Sequence, residues 1–96
     1  MSAYIVSNVT VTDPAQYELY KQLSSKAMAV HGPQVCVRGG AVEVVEGDWR
    51  PDRVVILRFA DVAAARAFYD SPEYVAARNA RQGAATMRMV IVEGAD

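Results

Sequence analysis

The hexapeptide Val54–Phe59, VVILRF, decides the fold of this 96-residue chain. Successive side chains of a strand point to opposite faces of its sheet, and here both sets are apolar apart from a single arginine. The two sets are Val55, Leu57, Phe59 and Val54, Ile56, Arg58. A sheet with one face in water alternates apolar and polar residues instead. We therefore expect helices on one face of the sheet and a second copy of the same sheet on the other.

Segments of strand and helix character flank this hexapeptide in a regular order. Strands are predicted over Tyr4–Val11, Val35–Arg38, Ala41–Glu46, Val54–Phe59 and Met87–Glu93, and helices from Pro14 to His31, from Val62 to Tyr69 and from Pro72 to near Gly83. The order βα-ββ-αβ, with its second helical segment split, predicts one α+β domain over residues 1–96. The expected fold is a ferredoxin-like βαββαβ unit with an antiparallel sheet and helices on one face. Two such sheets packed together form a dimeric α+β barrel.

The first helix carries clear start and stop signals. Asp13 suits the N-cap, Pro14 suits the first helical position, and Gln16 stands where a capping-box partner would. Gly32 suits the position just after the helix. At 100° per residue, one stripe of this helix faces the sheet. The stripe consists of Val30, Leu23, Ala27, Tyr20, His31, Ser24, Tyr17 and Met28.

Composition and charge exclude several classes of function. The net charge is −1, so a nucleic-acid partner lacks its usual basic footprint. The chain has one histidine and one cysteine, too few for a His-rich or CxxC metal site, and we expect no cofactor. No apolar run is long enough to cross a membrane, and no signal peptide is apparent. We expect a cytoplasmic protein with neither a nucleic-acid nor a membrane partner.

Several motifs together resemble the DUF1330 family, a bacterial group within the dimeric α+β barrel superfamily. They are Tyr17-x-x-Tyr20, His31-Gly32, Val37-Arg38-Gly39-Gly40, Val44-x-Glu46-Gly47-Asp48-Trp49, and Phe68-Tyr69-Asp70-Ser71-Pro72-Glu73-Tyr74 followed by Arg78. The resemblance spans nearly the whole chain and implies a ferredoxin-like protomer whose sheet packs on a partner's sheet. The superfamily includes cofactor-free monooxygenases, small-lactone isomerases, haem enzymes and ligand-binding sensory domains. Pro33 and Val35-Cys36 depart from the family pattern close to Arg38.

His31 and Arg38 are the candidate catalytic residues. His31 is the only side chain that titrates near neutrality without help, so it is the candidate general acid or base. Its alternative role is to interact with the last carbonyls and the dipole of its helix. Arg38, at a strand end before two glycines, is the candidate for stabilising an oxyanion. Its alternative is a surface or dimer-contact arginine beside an ordinary turn.

Asn8, Arg58 and Trp49 are candidate ligand-binding residues from strands and a loop. Asn8 interrupts an apolar strand and could present its amide to a cavity, or it could lie at a sheet edge. Arg58 interrupts an apolar face, so if that face is buried its charge needs a carboxylate or a ligand anion; the alternative is a frayed strand end. Trp49 could close a pocket, although burial in a dimer interface is the favoured interpretation.

Tyr69, Tyr74 and Arg78 surround the predicted break between the second and third helices and could bind an anionic or aromatic ligand. Tyr74 and Arg78 are four residues apart and so share a helix face, which Arg81 extends. The alternative is a helix cap at Ser71 with Tyr69 in the core and Arg78 in a solvated ion pair. Cys36 is expected to be a buried structural thiol rather than an activated thiolate.

These residues suggest a homodimer that binds a small organic acid or a polar aromatic compound between helices and sheet. If it is an enzyme, cofactor-free isomerisation, proton abstraction beside a carbonyl, or cofactor-independent oxidation is expected. The alternative is a non-catalytic ligand-binding or stress-associated dimeric protein. A cavity lined by His31, Arg38 and Asn8 would favour ligand chemistry. A filled core, with Arg58 paired to a carboxylate, would favour a structural role.

Overall fold

The computed structural model describes all residues, 1–96, as one antiparallel sheet with three helices. Its strands are β1 (Ala3–Val11), β2 (Gln34–Arg38), β3 (Arg53–Phe59) and β4 (Ala85–Glu93), and its helices are α1 (Pro14–His31), α2 (Val62–Asp70) and α3 (Pro72–Ala80). The strand order is β2-β3-β1-β4. All three pairings are antiparallel. The predicted ferredoxin-like α+β fold is confirmed.

The two faces of the sheet differ as the alternation of β3 predicts. On the helix side, Ile5 of β1 pairs with Leu57 of β3, and both are buried. On the other side, Val6 pairs with Ile56 and with Val90 of β4, which is 55% exposed. Because no helix of the chain lies on that second face, its apolar side chains remain open. We refer to these two surfaces as the covered face and the open face.

An aromatic cluster joins the helices to the covered face. The Phe68 ring of α2 lies 5.3 Å from the Phe59 ring and 4.8 Å from the Tyr74 ring of α3, between centroids. Phe68 and Tyr74 are each 1% exposed. Burial of such rings is the largest apolar contribution that a core of this size can make. Phe68 and Tyr74 therefore fix α2 and α3 against the sheet.

The predicted ends of α1 are confirmed, with one difference, whereas α3 ends at Ala80 rather than near Gly83. Asp13 Oδ1 accepts from the Gln16 backbone N–H at 3.2 Å, and Gly32 has the left-handed φ of 66° that ends α1. The Gln16 side chain does not complete a capping box. Its Nε2 donates instead to the carbonyls of Ala80 and Gln82 at 2.9 and 3.1 Å. This side chain satisfies carbonyls at the end of α3 and so ties that end to the start of α1.

The strand predicted over Ala41–Glu46 is wrong. The Gly39 N–H donates to the Val54 carbonyl at 2.8 Å, so β2 pairs directly with β3 and the residues between them have no neighbouring strand. The alternation of valine and glutamate is typical of a strand, but Val45 is 89% exposed and contributes to no core. A segment with high strand propensity forms a strand only where a neighbouring strand pairs with it.

The molecule is a slab rather than a sphere, with principal extents of 33 × 30 × 16 Å. Its radius of gyration is 13.4 Å, against about 12.5 Å expected for a compact domain of this length. The slab is two layers thick, helices on sheet. None of its helices combines the length and the hydropathy needed to cross a lipid bilayer.

Candidate functional site

A cavity of about 280 Å³ lies between α1 and the covered face of the sheet. Its apolar wall consists of Ile5, Met28, Val55, Leu57, Phe68, Met87 and Met89. Its polar groups come mostly from α1 and from the ends of β2 and β3. A cavity with an apolar wall and a few converging polar groups is the usual form of a small-molecule site.

Three cationic side chains line this cavity and no carboxylate does. They are Lys21 of α1, Arg38 at the end of β2 and Arg53 at the start of β3. Lys21 is partly neutralised, because its Nζ lies 2.7 Å from a Glu18 carboxylate oxygen. The chain as a whole carries a net charge of −1. The positive lining is therefore local to the cavity and favours an anionic ligand.

The first glycine after Arg38 makes room for Arg53. Gly39 has a φ of +68°, and a Cβ built there would lie 2.7 Å from the Arg53 guanidinium carbon. Only glycine fits this position without displacing that side chain. The guanidinium thus lies against Gly39, just after β2, and its Nε is buried with no hydrogen-bond partner in the chain. Gly39 of the Arg-Gly-Gly motif therefore leaves room for Arg53 in the cavity wall.

A chain of hydrogen bonds runs through buried tyrosines at the cavity. The Tyr20 and Tyr74 hydroxyl oxygens are 2.7 Å apart, and Arg81 Nη1 donates to the Tyr74 hydroxyl at 3.0 Å. Burial and the adjacent Tyr20 raise the pKa of Tyr74 far above its ordinary value, so it stays protonated. Burial and Tyr20 also raise the pKa of Tyr17, and the charge of Arg53 partly opposes that rise. Tyr17 and Tyr74 are thus neutral donors and acceptors.

Of the predicted site residues, the structure brings Arg38 and Tyr74 into the cavity. His31 lies elsewhere. Its Nε2 is 3.0 Å from Glu73 Oε1, and its ring packs edge-on against Phe68 at 5.8 Å between centroids. The pair joins the end of α1 to the first turn of α3, and the His31 side chain is 26% exposed. The single histidine is therefore separated from the cavity that holds the arginines.

Asn8 and Trp49 lie on the open face. They line a second recess of about 300 Å³, together with Val6, Val54, Arg88 and Val90. Asn8 is on the central strand β1, so the expected sheet-edge position is wrong, and its Oδ1 accepts from the Asp52 N–H at 3.3 Å. Trp49 is 64% exposed. The expected cavity shared by His31, Arg38 and Asn8 does not form, because these residues lie on three different surfaces.

Arg58 pairs with a carboxylate, one of the two partners that the sequence left open, although its side chain is 43% exposed. Its Nη2 lies 3.5 Å from Asp96 Oδ2 and donates to Ser2 Oγ at 2.7 Å. Hydrogen bonding from Ser2 is the main cause that lowers the pKa of the Asp96 carboxyl, with Arg58 contributing less. This cluster fastens the end of the chain to its beginning at the edge of the open face, and Arg58 does not line the cavity.

Tyr69 and Arg78 pair with each other outside the cavity, and the Tyr69 ring also packs against the Tyr74 ring at 5.8 Å between centroids. The Arg78 guanidinium lies 4.2 Å from the Tyr69 ring centroid, and Nη1 donates to the Tyr69 hydroxyl at 3.3 Å. Ser71 is a cap, as the alternative interpretation predicted, since its Oγ accepts from the Tyr74 N–H. Cys36 is exposed at the irregular part of β2, so the expected burial of its thiol is wrong.

Sequence reasoning did not single out Tyr17, Tyr20, Lys21 and Arg53 as site residues. Tyr17 and Tyr20 were on the predicted sheet-facing stripe of α1, where they look like ordinary core residues. Arg53 ended a predicted loop. No group of three metal-ligating side chains is present in residues 1–96.

The fold and the cavity define a class: a ferredoxin-like α+β protein with a ligand-sized cavity between helix and sheet. Residues 2–95 match the family described as "Domain of unknown function (DUF1330)", and the chain belongs to that family. No curated protein sequence matches it significantly.

Solved structures share the fold at low sequence identity. RPA0582 from Rhodopseudomonas palustris, a protein of unknown function, is 22% identical, with a TM-score of 0.76 over 99% of this chain and 83% of that one. SnoaB from Streptomyces nogalater, a cofactor-independent oxygenase, is 16% identical, with a TM-score of 0.62 over 99% of this chain and 94% of that one. A dimeric ferredoxin-like protein from Thermobifida fusca is 17% identical, with a TM-score of 0.65 over 98% of this chain and 92% of that one.

Proposed function

We propose that this protein is a homodimeric small-molecule-binding protein that takes a small organic acid or a polar aromatic compound into the cavity beneath α1. One observation carries the proposal: the cavity combines an apolar wall with Lys21, Arg38 and Arg53 and has no carboxylate in its lining. An apolar ligand would leave the two arginines without a counter-charge, and an anion provides one. Its volume of about 280 Å³ suits a metabolite of about one ring.

The open face supports the homodimer. The chain exposes 5983 Å², about 600 Å² more than the roughly 5,400 Å² expected for a compact monomer of 10.4 kDa. An ordinary interface buries about 800 Å² on each partner. Val90 and Trp49 are exposed on the open face, and a second copy of the same face would cover them.

A cofactor-free reaction is the extension of this proposal, with Arg38 stabilising an oxyanion in the cavity. The fold that the chain shares with SnoaB is compatible with such chemistry. The position of His31 favours the second candidate, a non-catalytic ligand-binding dimer. The only histidine pairs with Glu73 and does not line the cavity, so it is not placed to transfer a proton to a ligand there.

Thermal unfolding in the presence of a panel of small organic acids tests the binding function. A ligand that binds only the folded state must raise its melting temperature. We expect at least one acid to raise the Tm of the wild type and to have little effect on Arg53→Met. Arg66→Met is the matched control, because Arg66 pairs with Asp70 on α2 and lies outside the cavity. Equal shifts in all three proteins, or none with any acid, would contradict the proposal.

A further inference from the structure

The hydroxyl of Tyr20 has a hydrogen-bond direction that its neighbours fix. Arginine has only donors, so the Tyr74 oxygen accepts from Arg81. Tyr74 is 1% exposed, and the only other polar group bonded to its hydroxyl is that of Tyr20. Since buried hydroxyl hydrogens are almost always bonded, Tyr74 donates to Tyr20. Tyr20 therefore accepts from Tyr74 and cannot also donate to it.

The Tyr20 hydrogen has no acceptor left within the chain. Tyr20 is 6% exposed and lines the cavity, so the cavity is where its hydroxyl hydrogen can find a partner. Arg53 places a cationic guanidinium in the same lining, and no carboxylate of the chain pairs with it there. A hydroxyl hydrogen without an acceptor beside an unpaired cation is costly unless an acceptor enters the cavity. This arrangement is complete only with a ligand that brings two acceptor atoms.

We infer that Tyr20 and Arg53 together bind the carboxylate of a small aromatic monocarboxylate, one oxygen accepting from the Tyr20 hydroxyl and the other from the Arg53 guanidinium. The inference rests on the proposed binding function and adds the class of ligand and the residues that select it. A carboxylate offers two oxygens and no donor, which matches this pair, whereas an amide replaces one acceptor by a donor. The rings of Tyr17, Tyr20 and Phe68 in the lining suit a flat ring in the rest of the cavity.

Tyr74 and Arg81 are positioning residues in this account. They touch Tyr20 rather than the ligand: Arg81 orients Tyr74, and Tyr74 orients the Tyr20 hydrogen. The raised pKa of Tyr74 keeps this order intact across the ordinary pH range. Removing the Tyr74 hydroxyl would free the Tyr20 hydrogen to rotate, which weakens selection without removing the donor.

Calorimetric titration of the full chain with benzoate and with its neutral isostere benzamide tests the inference. We expect benzoate to bind the wild type at least tenfold more tightly than benzamide. Tyr20→Phe should weaken benzoate about tenfold or more, the usual effect of losing a hydrogen bond to a charged group, and change benzamide little. Tyr74→Phe should reduce the benzoate preference by a smaller factor. Tyr69→Phe is the matched control, because Tyr69 lies outside the cavity, and it should bind both probes as the wild type does.

Three results would overturn the inference: no benzoate binding at millimolar concentration, benzamide binding as tightly as benzoate, or Tyr20→Phe matching Tyr69→Phe. Circular dichroism and melting curves of each variant separate these from a folding defect, and Tyr74→Phe offers a second reading if Tyr20→Phe unfolds. If another organic acid still protects the wild type but not Arg53→Met, the binding function stands and only the aromatic-carboxylate assignment fails. If no acid protects, both fail.

Discussion

Along β3, the covered and open faces are both apolar apart from Arg58, yet the chain's own helices cover only one of them. On the covered face, Leu57 is buried beneath helices, and the space left over becomes a cavity with arginines in its wall. On the open face, the neighbouring Ile56 has no cover within the chain, and the nearby recess has a single cation, Arg88. The comparison teaches that hydrophobicity marks both a core and an interface, while the placement of charge marks the ligand site.

The largest effect, a loss of the dimer, is expected from a substitution that disrupts the open face. Ile56→Glu places a charge at the centre of this face, opposite Val6, and a desolvated unpaired carboxylate in an interface is strongly unfavourable. Light scattering should give about twice 10.4 kDa for the wild type and 10.4 kDa for the variant. Leu19→Glu, at an exposed site on α1, should leave the mass of the wild type unchanged. A wild type of 10.4 kDa at micromolar concentration would contradict the homodimer.

A smaller effect, on ligand affinity, is expected from a substitution of Gly39 beside the covered face. Gly39→Ala strains a left-handed backbone by about 1 kcal/mol and displaces the Arg53 guanidinium, so the affinity for benzoate should fall. Gly32→Ala is the matched control, because its φ is +66° and nothing lies near the added methyl group. Both variants should lose similar stability in urea, and only Gly39→Ala should lose affinity. Equal affinities would remove Arg53 from the binding site.

The smallest effect, on stability in acid, is expected at the sheet edge, where Asp96 contacts Ser2 and Arg58. The folded-state pKa of Asp96 is lowered from 3.8, so its ionised form stabilises the fold above that pH. This contribution is lost as the pH falls through the lower, folded-state pKa, and stability in acid drops with it. Asp96→Asn should flatten this part of the curve of unfolding free energy against pH. An unchanged slope below pH 3.8 would show that the carboxylate contributes nothing.

The fold was largely predictable from the sequence, because local signals agree with its global arrangement. Asp13, Asp61 and Ser71 each cap the helix they precede, and the alternation in β3 correctly separates Leu57 from Arg58. The error at Ala41–Glu46 has a physical origin. Its strand pattern is real, but pairing is not local, and β3 accepts β2 and β1 as its neighbours instead.

The site was harder to predict, because it depends on contacts between residues far apart in the chain. Tyr20 and Tyr74 meet only after α1 packs beside α3, and Arg53 reaches the cavity only because Gly39 lacks a side chain. His31 was conspicuous for its chemistry, but the turn that ends α1 directs it to Glu73. A lone histidine in a sequence therefore indicates a possible chemical role, but it does not indicate where the side chain lies in the fold.

Amide chemical-shift mapping with benzoate tests most directly the claim that the ligand site belongs to the covered face. The two recesses lie on opposite sides of the sheet and share only Ser7 and Met89 in their linings, so one titration distinguishes them. We predict that the largest shifts occur at Tyr20, Arg38 and Arg53, with little change at Asn8 and Trp49. Shifts concentrated at Asn8, Trp49 and Arg88 would place the ligand on the open face and contradict the account.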